Sequence, residues 1–523
     1  EAEKIILKYE NKENRTSKAD IDLRELKKDW HSKFKGFKVT TPDENFNNMI
    51  NIWNAYQCLI TFTWSRAASF IYCGHRNGFG YRDTVQDIQG VIHLVPEIAK
   101  EQLVFMLSAQ VDNGGGLPLV KYSHTPGCED TPSDLSYIIE TGHPAYRADD
   151  ALWLFPTIKK YMSETGELEF LDEIVPYANK GEDTVYNHLK RAIEFSMNRL
   201  GANGLPAGLH ADWNDCLRLG ENGESTFVAM QLYLALNILE EFAIIKKDEE
   251  YLRFLTHEKV QLATKINNLC FEEDRYIRGI TENGLLVGSK NNQEASMWLN
   301  PQSWAVISGI ADDSKKKIIL DNVYNKLNTS YGARLMSPSF KEHAFSGALA
   351  TVYNGSTKEN GGVFLQPQGW LILAEALTGH GNRAYEYYKE SSPAHQNNIA
   401  EIREIEPYTY GQFTESVESP FEGRSHVHWL TGAASTVMVG CVEGILGIRP
   451  DIKGILISPA IPSEWDKVTI EKNFRGKKLV IHICNKDKRE NGYKELYLNK
   501  TKLNSNYILE SQLKESNEIL LFM

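Results

Sequence analysis

The stretch Gly208–Gly220 reads GLHADWNDCLRLG and sets two carboxyls, Asp212 and Asp215, around Trp213 and Asn214. A protonated carboxyl can hand its proton to the oxygen leaving a glycosidic bond. A tryptophan beside it can cover the flat C–H face of a sugar ring. Inverting hydrolysis also needs a second carboxylate, roughly 6.5–9.5 Å from the acid, to activate water. A phosphate nucleophile arrives as an anion and needs no base. It needs a cradle of arginines, hydroxyls and backbone N–H groups instead. Asp and Asn also cap helices and close Asx turns, so this motif alone leaves a structural role open.

Cradle candidates exist. Arg66, Arg76 and Arg82 fall within seventeen residues in SRAASFIYCGHRNGFGYRDT. In HVHWLTGAAS, Thr431 offers a hydroxyl, and Thr431 and Gly432 offer N–H groups where a helix is expected to begin. Helix N-termini favour anions. Trp213, Trp370, Trp429, Tyr81 and Tyr353 sit beside polar residues in loops, as a carbohydrate site requires. The same aromatics can simply seal loops against a core, and the arginines can be solvated.

The elements that must position these groups are mostly helical. Residues 43–446 carry apolar residues at spacings of three and four in about a dozen segments. Examples are NMINIWNAYQCLITFTW, QGVIHLVPEIAKEQLVFMLSAQV, VYNHLKRAIEFSMNRL and STFVAMQLYLALNILEEFAII. Polar loops rich in Gly, Pro, Asn and Asp separate them and hold the unusual chemistry. Residues 1–42 are charged and read as a helical linker. Residues 447–523, with VTIEKNF, KKLVIHICN and KELYLNK, read as a small all-β appendage. The chain is 523 residues long with a net charge of −12, which makes nucleic acid a poor partner. Seven scattered cysteines with no CxxC pair fit the reduced thiols of a cytoplasmic protein better than a disulfide framework or zinc site. No unbroken apolar run of about 18 residues is present, so no membrane span is expected. The chain opens on Glu1 with no secretory leader pattern.

Taken together, GYRDTVQD, GLHADWNDCL, TKENGGVF, EPYTYGQFTE, HWLTG and ILGIRPDIKGILISPAIPSEW resemble the inverting sugar phosphorylases of glycoside hydrolase family 94. Cellobiose, cellodextrin and N,N′-diacetylchitobiose phosphorylases belong to that family. The resemblance runs from about Trp64 to about Arg475. It implies an (α/α)6 barrel followed by a C-terminal β-sandwich piece. It also implies an N-terminal β-sandwich, ahead of the linker, that helps form a homodimer and close the site; this chain is expected to start in the linker. The implied reaction is phosphorolysis of a β-linked glucosyl or N-acetylglucosaminyl disaccharide to an α-sugar 1-phosphate. Inorganic phosphate is the co-substrate, with no metal or organic cofactor.

By the same resemblance Asp215 is the general acid and Trp213 lines the donor-sugar subsite. Arg82 and Asp83 bind donor hydroxyls, Arg66 lies near them, and Glu359 stands on the acceptor side. Arg76, Gln412, Thr431 and Gly432 hold phosphate. Asp212 is left to the loop itself. One position departs: Gln366 stands where the family has a phosphate-binding histidine. Gln donates an N–H but adds no positive charge, so either phosphate binds more weakly or His426 or His428 leans in. Two alternatives remain open at this point. One is an inverting hydrolase on the same barrel, with Glu359 or Asp83 as base; the other is a sugar-binding fragment without turnover.

Overall fold

The computed structural model describes residues 1–9, 15–66 and 78–523. Among the described residues, twelve of the helices in the central part of the chain build its core. They are α1 (Asn54–Trp64), α2 (Tyr81–Gln89), α3 (Pro96–Leu107), α4 (Leu154–Thr165), α5 (Val185–Met197) and α6 (Thr226–Lys246). The rest are α7 (Glu249–Leu269), α8 (Leu299–Ile307), α9 (Asp313–Leu327), α10 (Leu365–Leu377), α11 (Gly381–Ser391) and α12 (Ala433–Val439).

The even-numbered helices touch one another in a closed cycle, α2–α4–α6–α8–α10–α12 and back to α2. Their sequences say why. Leu299 to Val306 in α8 and Leu365 to Ile372 in α10 are buried without a break. A helix buried on every side is surrounded by its neighbours, and its buried polar residues, Asn300, Gln302, Gln366 and Gln368 among them, find partners inside the fold. Some of the odd-numbered helices bury much less. In α7 only Leu255, Leu262 and Ile266 are buried, the one-face spacing of a helix with solvent behind it. Helix α6 is long and apolar enough to cross a membrane by length and composition, and 61% of its apolar window is buried inside the fold.

The segment from Gln89 to Val111 reads as one helical stretch, yet α3 starts only at Pro96. Proline is accepted at the first helical position, and it pushes the residue before it out of the α region.

The C-terminal region forms a six-stranded sheet and a smaller three-stranded one. In the larger sheet Lys467–Phe474 and Lys477–Cys484 pair antiparallel, and the second pairs in parallel with Ser516–Phe522. The edge strand comes from the other end of the chain. Phe37–Thr40 pairs antiparallel with Lys467–Phe474, Phe37 opposite Lys472 and Val39 opposite Ile470. Residues 1–42 are therefore not helical throughout. Helices span Ala2–Tyr9 and Arg15–Lys33, and FKVT then alternates, burying Phe37 and Val39 and exposing Lys38 and Thr40. Four residues of alternation are too short a signal to stand out beside a charged helix.

Candidate active site

The inner helices start at a common end of the cycle, and the segments in front of them supply the polar groups. Arg82 and Asp83 sit in the first turn of α2. Asp150 opens the short 3-10 turn Asp150–Trp153 that leads into α4. The DWND loop is tied to Ser225, the N-cap of α6. Asn300, in the first turn of α8, donates to Asn214 at 3.2 Å. Gln366 is in the first turn of α10, and Thr431 and Gly432 lead into α12. Helix N-termini carry unpaired N–H groups and partial positive charge, so their convergence favours anionic groups.

One cavity of about 150 Å³ is lined by Asp215, Trp213, Arg66, Arg82, Asp83 and Glu359, and also by Gln366, Gln412, Thr431 and Gly432. Arg76 lies outside the described residues. The cavity is small beside the roughly 300–1,000 Å³ of drug-sized sites, a scale suited to one sugar ring with the remainder of a ligand at the rim. A larger cavity of about 280 Å³, walled by Trp153, Trp304 and Trp370, contains none of these ten residues.

The two acids of DWND differ sharply. Asp212 is buried and accepts from Arg278 Nη2 at 2.6 Å, Ser225 Oγ at 2.6 Å and its own loop at Asn214 N, 2.9 Å. Burial opposes its charge, but Arg278 and the two hydrogen bonds outweigh burial and hold the carboxyl below its ordinary value. It is a loop anchor, as expected. Asp215 has a side chain 52% exposed, facing Arg82 Nη2 at 2.6 Å and Arg147 Nε at 3.5 Å. Arg82 also donates from Nη1 to Asp149 at 3.1 Å and to the carbonyl of Asp212. The guanidinium assigned to sugar hydroxyls thus also fixes the acid and its loop.

Glu359 reaches the loop from the other side. It accepts from Cys216 N at 3.1 Å and from Asn214 Nδ2 at 3.4 Å. Burial, then the neighbouring charge of Asp215, pushes its carboxyl up to about 7. Trp213 is 8% exposed. Its ring packs edge-on against Phe364 at 5.1 Å and Trp370 at 5.3 Å, so most of its area serves the aromatic layer. Its indole N–H, a donor only, meets Gln366 Oε1 at 3.3 Å, which fixes the amide the other way round toward Gln86 at 2.9 Å. Gly432 is required here: a Cβ would lie 2.7 Å from the Gln366 amide. Arg66 grips Asp87 with two bonds, 2.6 and 3.3 Å, and lies 3.6 Å from Asp83.

His426 and His428 do not line the cavity. His426 pairs with Glu415 at 2.7 Å and stacks on Phe413, and His428 meets Glu406 at 3.3 Å. Neither stands in for the family histidine. Among the described residues no three His, Cys, Asp or Glu side chains converge as a metal site.

Backbone strain collects around these groups. Ser65, Leu209, Lys358, Val427 and Trp429 all have positive φ, beside Arg66, the DWND loop, Glu359 and the Thr431 turn. Non-glycine residues tolerate that conformation only where surrounding structure over-determines it.

Several site residues were not singled out from sequence. Arg147 and Asp150 line the cavity, in YRADDALW. This segment is stitched to the acid's loop by an Arg147–Leu209 bridge and by Ala148 N donating to Ala211 O at 2.9 Å. Adjacent acids ahead of an apolar run were the available signal, and they read equally well as a helix cap. Arg278, fully buried behind Asp212, carries no sequence signal at all.

Comparison with known proteins gives the family. Residues 29–447 match the family model described as the glycosyl hydrolase 94 superfamily, catalytic domain. The N,N′-diacetylchitobiose phosphorylase of Vibrio proteolyticus is 36% identical over 500 residues, covering 92% of this chain and 61% of the relative. The solabiose phosphorylase of Paenibacillus borealis is 30% identical, covering 88% of this chain and 56% of its own length. The chain thus spans about three-fifths of these relatives. In fold alone, a GH78-family rhamnosidase structure from Bacillus sp. GL1 is similar at a TM-score of 0.54 and 14% identity, over 86% of this chain and 42% of that one.

Proposed function

Because the chain belongs to the glycosyl hydrolase 94 superfamily, we propose that it carries the catalytic unit of an inverting sugar phosphorylase. The reaction is attack of inorganic phosphate on a β-linked disaccharide or oligosaccharide with a glucosyl or N-acetylglucosaminyl donor, giving an α-sugar 1-phosphate. The observation that carries this reading is one cavity lined by the half-exposed Asp215, by Gln412 of the strand Gly411–Thr414, and by Thr431 and Gly432 at a helix N-terminus. An acid for the leaving oxygen and an anion-favouring wall within one cavity are what phosphorolysis requires.

In this reading Asp215 protonates the glycosidic oxygen. Arg82 orients it, and Arg66 and Asp83 line the sugar side. Glu359, half protonated near pH 7 and neutral below it, presents an O–H toward the acceptor in its neutral form. Gln366 supports the phosphate side through Trp213 and Gln86. The closed cycle of six helices, each with an outer neighbour, supports an (α/α)6 barrel over residues 43–446. The strand-rich region 447–523 is read as the family's C-terminal β piece, in a cytoplasmic protein that works as a homodimer or with an N-terminal β-sandwich.

The test is incubation with phosphate and β-linked glucose and N-acetylglucosamine disaccharides, assaying sugar 1-phosphate. Phosphate-dependent product is expected. Free monosaccharide without sugar phosphate would replace the reading with hydrolysis. Sugar binding with neither product would replace it with a binding fragment.

A further inference from the structure

Three buried polar atoms on the cavity wall are left unused by the reading above. Tyr81 Oη, Arg147 Nη1 and Asp150 Oδ2 have no hydrogen-bond partner among the described residues. All three residues line the cavity that contains Asp215. Buried polar groups are almost always paired, so three orphans on one wall call for a ligand that completes them.

Asp149 and Asp150 are neighbours in sequence but not in role. Asp149 is satisfied: Arg82 Nη1 donates to one oxygen at 3.1 Å and the Trp153 indole to the other at 2.9 Å. Asp150 keeps Oδ2 free. Burial, then the charge of Asp149, raises the Asp150 carboxyl, so it offers an O–H as well as acceptor oxygens. Tyr81 adds a hydroxyl and Arg147 an N–H. A wall with donors and acceptors interleaved suits hydroxyls, each of which donates once and accepts once. The Asp215 side chain is 52% exposed while Asp150 is 1% and Tyr81 0% exposed, so the acid stands nearer solvent than these two.

We propose that Asp150, with Tyr81 and Arg147, forms the hydroxyl-reading wall of the donor-sugar subsite and sets which donor ring is accepted. The assignment of the ring as donor rests on the phosphorolytic reading. Asp150 is the specificity-determining residue, because its buried, unpartnered Oδ2 finds its partner on the ring.

The test is calorimetric titration of the full chain with N-acetylglucosamine, glucose and their 3-, 4- and 6-deoxy forms, comparing wild type with Asp150→Ala and Tyr81→Phe. Circular dichroism and thermal unfolding check the fold. Tyr81→Phe removes one O–H only, and so keeps the test decisive if Asp150→Ala does not fold. Each folded variant is expected to bind the parent sugar on the order of ten-fold more weakly, with the loss disappearing on one deoxy sugar. Unchanged binding, an equal loss on every sugar, or no sugar binding by wild type would overturn the proposal. Wild-type sugar 1-phosphate formation is assayed in parallel. If it is absent while the selective loss is seen, phosphorolysis falls and the wall stands. If it is present while the variants bind normally, the wall falls and phosphorolysis stands.

Discussion

Arg82 Nη2 stands 2.6 Å from Asp215 Oδ1 while Nη1 of the same guanidinium stands 3.1 Å from Asp149 Oδ1. One planar fork therefore sets the direction of the acid against a fixed, buried partner. A lysine is a point charge and cannot hold both carboxylates in that geometry. Arg82→Lys is expected to lower kcat on the order of 10²-fold through misplacement of the acid. Steady-state phosphorolysis, alongside the thermal midpoint, reads this; full activity in the variant would mean the pairing does not position Asp215.

Asp215→Asn removes the proton source and leaves the shape. General acid catalysis contributes roughly 10²–10⁴-fold, and a loss of that size in phosphorolysis is expected. Because the Asp215 side chain is half exposed, the stability change should stay within about 1 kcal/mol, measured by denaturant unfolding. An active Asp215→Asn protein would send the search for the acid elsewhere.

Glu359 gives a pH signature. Its ordinary value is 4.5, and in the fold it is pushed up to about 7, first by burial and then by Asp215. The unfolded chain therefore loses this proton before the folded chain does, and stability falls as pH rises from 4.5 through 7. Glu359→Gln mimics the neutral form. It is expected to flatten that slope and to remove an activity limb centred near pH 7. Unfolding free energies and kcat/KM between pH 5 and 8 test both; an unchanged limb would assign it to another group.

Gln366 links Trp213 to Gln86. Gln366→Leu leaves a buried indole N–H and a buried amide oxygen unpaired, at about 1–3 kcal/mol for such a group. A lower unfolding free energy is expected, together with a higher KM for phosphate. A change in stability alone would show that Gln366 supports the aromatic layer and does not reach phosphate.

The sequence disclosed the chemistry better than its supports. YRDT, DWND, TKENGG, GQF and HWLTG all arrive at one cavity, because short segments of unusual composition are visible in one dimension, although YRDT proves to be the first turn of a helix and GQF part of a strand. What stayed hidden depends on burial and on long-range pairing. Asp149 and Asp150 look like any helix-capping acids until one is seen tied to Arg82 and the other orphaned in a cavity. Arg278 becomes informative only beside Asp212, 66 positions away in the chain. The helical pattern was legible because apolar spacing is local. The strand Phe37–Thr40 was not, since its partner strand lies at the far end of the sequence.

That strand has a consequence for how the molecule is made. Synthesis proceeds from the N-terminus, and Phe37 pairs with Lys472, so the edge strand must wait on the ribosome until nearly the whole chain has emerged. Long-range closures of this kind are late steps, paid for in loop entropy before any contact rewards them. The helical cycle can assemble earlier from local contacts. The seam between Phe37–Thr40 and Lys467–Phe474 then acts as a final clasp. Until it shuts, Phe37 and Val39 remain an uncovered apolar strand open to a chaperone.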